Sequence, residues 1–450
     1  MKMQERLELA ARAATAMLST DAAIKNAALE RISHALESDR ASIFDANLKD
    51  IETARAEGLA APLLKRLAFN EKKLAEVRSG ISDLIAMPNP VGRVLEARLL
   101  DEGLELRRIS CPIGLIAMIF ESRPDALVQM ASLGVKSGNA IVLKGGSEAR
   151  ESNAALANLI ANAGEEAGLP QHWLTLLETR EEIGELLKYD QFVDLVIPRG
   201  SKEFVARIKA TSRIPVLGHS DGVCHVYVHE DADPAMATSI VLDSKTQYPA
   251  TCNAAEVLLV NAQFAARGLV SLLRALSAAG VVLDVCPRTA EILRGANNQG
   301  APAVPCTLKT DDDWSVEYLD FRMAVKFVDS LDEAIAHINR YGSGHTDSIV
   351  CESREVARRF LNEVDSSSVY HNASTRFADG YRYGLGAEVG IATGKLHARG
   401  PMGLQGLLTY KWLLEGQGHI VDDYATGKKH FIHKDLPLND ALAGDLVSED

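Results

Sequence analysis

No stretch of this sequence stays apolar for long. The longest uninterrupted runs, such as LIAMIF at Leu115 to Phe120, fall well short of the roughly 20 residues that a bilayer-spanning helix needs, so no transmembrane helix is expected. The amino terminus, MKMQERLELAARAATAMLST, mixes acids with bases and lacks both an apolar core and a small-residue cleavage site. That pattern argues against a secretory or transit peptide and leaves the cytoplasm as the expected location. Basic excess is missing too: 48 Lys and Arg against 61 Asp and Glu give a net charge of −13, which disfavours non-specific contact with a nucleic-acid backbone. The six cysteines include no C-x-x-C pair, so neither a zinc site nor a dithiol redox motif is indicated, no metal is expected, and the thiols should be free in a reducing compartment. Two phosphate-binding signatures are also absent. Without G-x-G-x-x-G after a strand or G-x-x-x-x-G-K-[ST], the chain has neither the ordinary dinucleotide fingerprint nor a P-loop, which makes a kinase unlikely.

What is present is the composition of a globular protein, 47% hydrophobic and 24% charged over 450 residues, a length that calls for two or three domains. The first ~90 residues read as helical, with Leu7, Ala11, Ala14 and Leu18 on one apolar face. RVLEARLLDEGLELRRISCPIG then alternates around Asp101-Glu102-Gly103, as expected of an exposed hairpin over 94–110. From Asn139 the rhythm becomes strand, helix, strand through AIVLKGG, LTLLE, DLVIPRG, IPVLG and CHVYVH. Short, almost wholly apolar strands between amphipathic helices predict an α/β fold with a doubly wound sheet. The pattern restarts after Cys252 with EVLLV, VVLDV, RMAVKFV and DSIVCE, which places a boundary near Tyr248 and divides the chain into 1–247, 248–417 and a carboxyl-terminal segment 418–450 that ends in a loosely held acidic tail.

Cys252, in QYPATCNAAEVLLV, occupies a loop-to-strand junction between the two expected domains, where ligand clefts concentrate. It is either a nucleophile or, as with most free cysteines, a small packed hydrophobe. The other five lie mostly in or beside apolar runs and read as packing. Two strand ends carry groups suited to an anion: Lys144, Gly145, Gly146 and Ser147 in VLKGGSEA, and Arg199, Gly200 and Ser201 in VIPRGSKEF. Each would aim backbone N–H groups at a phosphate from a helix start, or simply form a turn and a cap. A glycine-rich stretch from His371 to Trp412 adds Arg376, Arg382 and Arg399, whose guanidinium forks suit a carboxylate or phosphate.

Together FESRPDA, KSGNAIVLKGGSEA, IPRGS, TCNAAEVLLV, EYLD and NASTRFADGYRYGLGAEVGIATGKLHARGPMGL resemble the aldehyde dehydrogenase superfamily over roughly residues 5–430, and most closely its γ-glutamyl phosphate reductase branch. The resemblance implies an aldehyde-dehydrogenase-like α/β fold: a Rossmann-type cofactor domain in 1–247, an α/β catalytic domain in 248–417, and an oligomerisation hairpin shared with part of 418–450. It makes Cys252 the nucleophile and puts Lys144 and Ser147 beside the adenosine ribose, Arg199, Gly200 and Ser201 at the cofactor phosphates, and Glu317 on the nicotinamide ribose. Asn253, Arg376, Gly384 and Gly386 fall to the substrate. Ser122 stands where the oxidative enzymes use an Asn in the oxyanion hole, and Val216 where they carry the Glu that activates water. The implied reaction is therefore reductive: NADPH-dependent conversion of L-glutamyl 5-phosphate to L-glutamate 5-semialdehyde and phosphate through a Cys252 thioester, the second step of proline biosynthesis. A homo-oligomer is implied, and a functional association with glutamate 5-kinase is left open. Two alternatives also remain at this point, an aldehyde dehydrogenase for another substrate and a nucleotide-binding scaffold without catalysis.

Overall fold

The computed structural model describes residues 1–121, 123–218, 221–298, 304–310, 312–385 and 388–438. Two parallel sheets organise them. The first has four strands in the order Leu174–Leu177, Ala140–Lys144, Leu115–Phe120, Leu195–Arg199, every pairing parallel. From Leu115–Phe120 the chain winds first to one side and then returns to the other. The crevice between Leu115–Phe120 and Leu195–Arg199 is thus the point at which strand order reverses, and in open α/β sheets ligands bind there, outside the carboxyl ends of the strands.

Local chemistry sets the flanking helices. Pro124 starts the helix Pro124–Ser137, and Gly138 ends it in the left-handed conformation at φ 75°, the usual pairing of proline at the start and glycine at the stop. Ser201 caps Lys202–Thr211 by accepting from the Phe204 N–H. In the first helix, Met3–Met17, the residues buried are Met3, Leu7, Ala10, Ala13, Ala14 and Met17. Leu18, expected on that face, is exposed because the helix has ended one residue earlier.

The second sheet has seven strands in the order Cys306–Leu308, Val282–Val285, Arg322–Val328, Ala255–Asn261, Cys224–Val228, Thr346–Val350, Ser368–His371, again paired in parallel throughout. Its middle strand, Ala255–Asn261, is buried at all seven positions, and each large apolar side chain so buried contributes about 1.5–3 kcal/mol. The changeover between sheets falls before Cys224. CHVYV, expected in the first sheet, is instead the neighbour of Ala255–Asn261 in the second, so a division at Tyr248 separates two strands that are hydrogen-bonded to each other. IPVLG, expected as a strand, contributes one bridge, Val196 to Val216.

A third, antiparallel sheet is built on the hairpin Val94–Asp101 and Leu104–Pro112, turned at Gly103 with φ 72°. The late strand Leu408–Glu415 pairs with one side of it and the two-residue strand Lys434–Asp435 with the other. Between the seven-stranded sheet and this hairpin the chain passes back over the four-stranded sheet, where Val389, Ala392, Met402, Leu404 and Leu407 join the core beneath Leu115–Phe120. The expected acidic tail, from residue 439 onward, lies outside the described residues. Among those described, no helix is long and apolar enough to cross a membrane.

Candidate active site

Cys252 sits just before the central strand, in a turn held by its neighbours. Thr251 Oγ1 lies 2.8 Å from the Tyr248 carbonyl and 3.0 Å from Asn253 Oδ1, and Asn253 Nδ2 donates to the Ala378 carbonyl at 2.8 Å. From below, the Cys224 thiol donates to the Cys252 carbonyl at 3.2 Å. Gly222 packs so closely that a Cβ there would lie 2.1 Å from the Cys252 carbonyl oxygen; only glycine fits. The thiol is half-buried in the wall of a cleft. Burial, followed by the nearby carboxylates Glu317 and Glu388, pushes its pKa up to about 12 against the opposing pull of Arg199.

Both carboxylates are anchored. Glu317 Oε1 accepts the Gly222 N–H at 2.9 Å, so the loop that carries it rests on the same glycine that backs Cys252. That loop is also tied from beneath: Glu256 accepts Leu319 N–H at 3.2 Å and a hydrogen bond from fully buried Lys245 at 2.6 Å. Glu388 Oε2 accepts the Gly380 N–H at 2.8 Å. Burial raises the pKa of Glu317 and of Glu388, and Arg199 partly offsets it for Glu388. Arg376 is buried, with Nε donating to Gln247 Oε1 at 2.9 Å and Nη1 to Thr251 Oγ1 at 2.8 Å. A guanidinium braced on two sides in this way presents its remaining N–H groups in a fixed direction.

The cleft has a volume of about 2250 Å³. It brings together Cys252, Asn253, Arg376, Glu317, Arg199, Gly200, Ser201, Lys144 and Ser147, which the sequence spreads over more than 200 positions. Gly384 is not part of its lining; it closes the turn after Tyr381 with φ 73°. Ser122 and Gly386 lie outside the described residues. Val216 also falls away from the cleft, against the core on the far side of the first sheet.

The far end of the cleft offers a helix start and a buried cation to an anionic ligand. Gly200 passes so near Glu121 that a Cβ would be 2.6 Å from its carboxylate, which leaves backbone, not side chain, at the start of the ten-residue helix Lys202–Thr211. Lys144 is buried at the end of its strand, where burial lowers its pKa, and its ammonium donates to the Gly145 carbonyl. Glu121, which accepts the Ser201 N–H at 3.0 Å, and Glu388 lie within the quoted motifs FESRPDA and GLGAEVG but are not singled out there, and neither is Gly222. A motif does not say which of its carboxylates faces the cleft, and the constraint on Gly222 comes from a residue 30 positions away. Among the described residues no cluster suits a metal ion, and all six cysteines are free.

The chain is similar to known proteins over most of its length. The family described as "Aldehyde dehydrogenase family" matches residues 1–282. The gamma-glutamyl phosphate reductase of Pelotomaculum thermopropionicum is 53% identical over 436 residues, covering 97% of this chain and 98% of that one. The gamma-glutamyl phosphate reductase of Acetivibrio thermocellus is 54% identical over 419 residues, 92% of this chain and 95% of that one. Among solved structures, the gamma-glutamyl phosphate reductase of Thermotoga maritima superposes with a TM-score of 0.89 at 37% identity, covering 93% of this chain and 100% of that one. A glyceraldehyde-3-phosphate dehydrogenase from Methanocaldococcus jannaschii, complexed with NADP, shares the fold alone, with a TM-score of 0.63 at 14% identity over 92% of this chain and 94% of that one.

Proposed function

The chain belongs to the γ-glutamyl phosphate reductases of the aldehyde dehydrogenase family, and from that premise we propose that it reduces L-glutamyl 5-phosphate to L-glutamate 5-semialdehyde, releasing phosphate, as the second step of proline biosynthesis. The observation that carries this reading is Cys252 presented in the wall of a cleft that also holds Arg376, Arg199 and Glu317, whereas Val216, packed away from that cleft, is not the counterpart of a water-activating carboxylate.

The cofactor belongs to the NAD(P) class of the family, and we assign NADPH, with Lys144 and Ser147 at its adenosine end, Arg199, Gly200 and Ser201 at its phosphates and Glu317 at its nicotinamide ribose. When bound, it supplies a hydride to the acyl carbon. The chain's own residues do the rest. Cys252 sulfur attacks the γ-carbonyl and phosphate departs as a good leaving group, so no strong acid is needed to expel it. Oxygen that becomes anionic at the acyl carbon is met by the Cys252 backbone N–H; Ser122 occupies the sequence position of the family's second donor. Arg376 holds an anionic group of the substrate through its unbraced N–H groups. Asn253 positions: its side chain is engaged by Ala378 and Thr251 and so fixes the turn that carries the nucleophile. The working unit is a cytoplasmic homo-oligomer, in functional association with glutamate 5-kinase, because an acyl phosphate is short-lived in water.

NADPH oxidation with freshly generated glutamyl phosphate tests the assignment. Cys252→Ala should fold and bind NADPH as wild type does yet lose turnover. Residual activity above about a thousandth of wild type would exclude covalent catalysis by this residue, since deleting a nucleophile costs several orders of magnitude.

A further inference from the structure

Arg376 is a buried cation held only by neutral groups. It is 7% exposed, and a charge taken that far out of water is costly unless an opposite charge meets it. Yet Nε donates to the Gln247 amide oxygen at 2.9 Å and Nη1 to the Thr251 hydroxyl at 2.8 Å, which leaves Nη2 with no partner among the described residues. No carboxylate of those residues reaches it. Burial and then Arg382 lower its pKa, and Asp379 and Asp243 oppose them only through space.

The guanidinium is nonetheless fixed. Its backbone is pinned within a short turn, where the Arg376 N–H donates to Ser374 Oγ at 3.3 Å and the Arg376 carbonyl accepts from Arg382 Nη1 at 2.7 Å. The Thr251 hydroxyl that accepts from Nη1 belongs to the residue just before Cys252, so the cation lies against the nucleophile's own turn and lines the same cleft. Gln247 closes the other side. It stands at the carboxyl end of the helix Pro234–Thr246, where a carboxylate of the same shape would meet the same Nε and complete the ion pair that the protein leaves open.

We propose that Gln247 is a positioning residue whose neutrality sets substrate affinity: its amide oxygen aims Arg376 at an anionic group of the substrate and leaves the guanidinium charge unneutralised for it. The idea rests on the reductase reading above and deepens it. Glutamyl 5-phosphate carries two groups of the required chemistry, the α-carboxylate and the phosphoryl group, and the oxygens of either accept paired N–H groups from a guanidinium. The substrate is then the missing counter-ion. A carboxylate in place of the Gln247 amide would compete with it for the same charge.

Gln247→Glu tests this, because it keeps the brace and adds only charge. KM for glutamyl phosphate should rise about tenfold or more, the effect of losing a charge-assisted hydrogen bond, with kcat and the KM for NADPH within about threefold of wild type. Gln247→Met, which removes the brace and adds no charge, should raise KM less. In the reverse direction, with glutamate 5-semialdehyde, NADP and phosphate, Gln247→Glu should raise the KM of one anionic substrate and spare the other: phosphate if Arg376 holds the phosphoryl group, the semialdehyde if it holds the α-carboxylate. A KM within about threefold of wild type, a fall confined to kcat, equal increases for both reverse substrates, or a Met variant as impaired as the Glu variant would each overturn the proposal. A wild-type enzyme that does not oxidise NADPH with glutamyl phosphate would instead sink the reductase reading. A thermal melt without substrate would still decide the pairing, since the change in Tm on Gln247→Glu should be more favourable with Arg376 present than in an Arg376→Gln background; equal changes would show that the two side chains are not coupled and overturn it.

Discussion

At the scale of single residues the cleft works by placing charge where water is scarce. Lys144 is the clearest case. Its ammonium is buried with a carbonyl as its hydrogen-bonding partner, and burial disfavours the charged form, so an incoming dianionic group would relieve an unfavourable situation that a ribose hydroxyl would relieve far less. Lys144→Ala should weaken NADPH much more than NADH, by about 1.5–3 kcal/mol for a lost charge-assisted hydrogen bond, or roughly tenfold and upward in KM where KM follows binding. Steady-state kinetics with both cofactors checks this. Equal changes in the two KM values would mean that Lys144 contacts something both cofactors share. The search for the 2′-phosphate reader would then move to Arg180, which acts on Lys144 electrostatically and lines the same cleft, before Lys202, whose charge is already paired with Asp221.

At the scale of elements, the strand-turn-helix unit Leu195–Thr211 offers a helix start to a cofactor's pyrophosphate, but Glu121 from the neighbouring strand end already caps Ser201 N–H at 3.0 Å. A fixed carboxylate there competes with the cofactor phosphate proposed to bind there. Glu121→Gln keeps an oxygen for Ser201 and removes the charge, so NADPH should bind about two- to fivefold more tightly, the equivalent of 0.3–1 kcal/mol at a helix terminus. Titration of NADPH fluorescence would show it; unchanged or weaker binding would mean that the carboxylate itself holds the loop in its binding shape. The same unit shows what a sequence discloses about elements. VIPRGSKEF marked its strand, turn and capped helix because each leaves a local signature in burial pattern and capping residue. CHVYV was equally legible as a buried strand and still went to the wrong sheet, because an all-apolar run states that both faces are covered and is silent about which strand lies alongside. Lys144, Arg199, Glu317 and Arg376 could be singled out singly or through a family likeness, but that they share one cleft depends on how two sheets face each other, which no local pattern encodes.

At the scale of the whole molecule, the carboxyl-terminal third does something no single element requires. After completing the catalytic sheet at Ser368–His371 it crosses the first domain and ends as Leu408–Glu415 on the outer edge of the hairpin sheet. On that edge Tyr410, Trp412 and Leu414 alternate onto one face and are 52%, 48% and 58% exposed, with the Arg108 guanidinium lying over both aromatic rings at 5.0 and 5.8 Å. An eight-residue strand with one side unpaired, carrying apolar side chains, is a template for another chain or a liability for aggregation. A second copy of this chain is the economical occupant, since a self-complementary edge closes under two-fold symmetry. Wild-type protein at micromolar concentration should therefore sediment as a dimer or larger assembly. Trp412→Asp, which puts a charge into the contact while leaving the buried core untouched, should shift it to a smaller species and change thermal stability by no more than the lost contact explains. A monomeric wild type, or a Trp412→Asp variant of unchanged mass that still oxidises NADPH at the wild-type rate, would show that the edge is covered some other way and that the hairpin serves to hold the two sheets of a single chain in register.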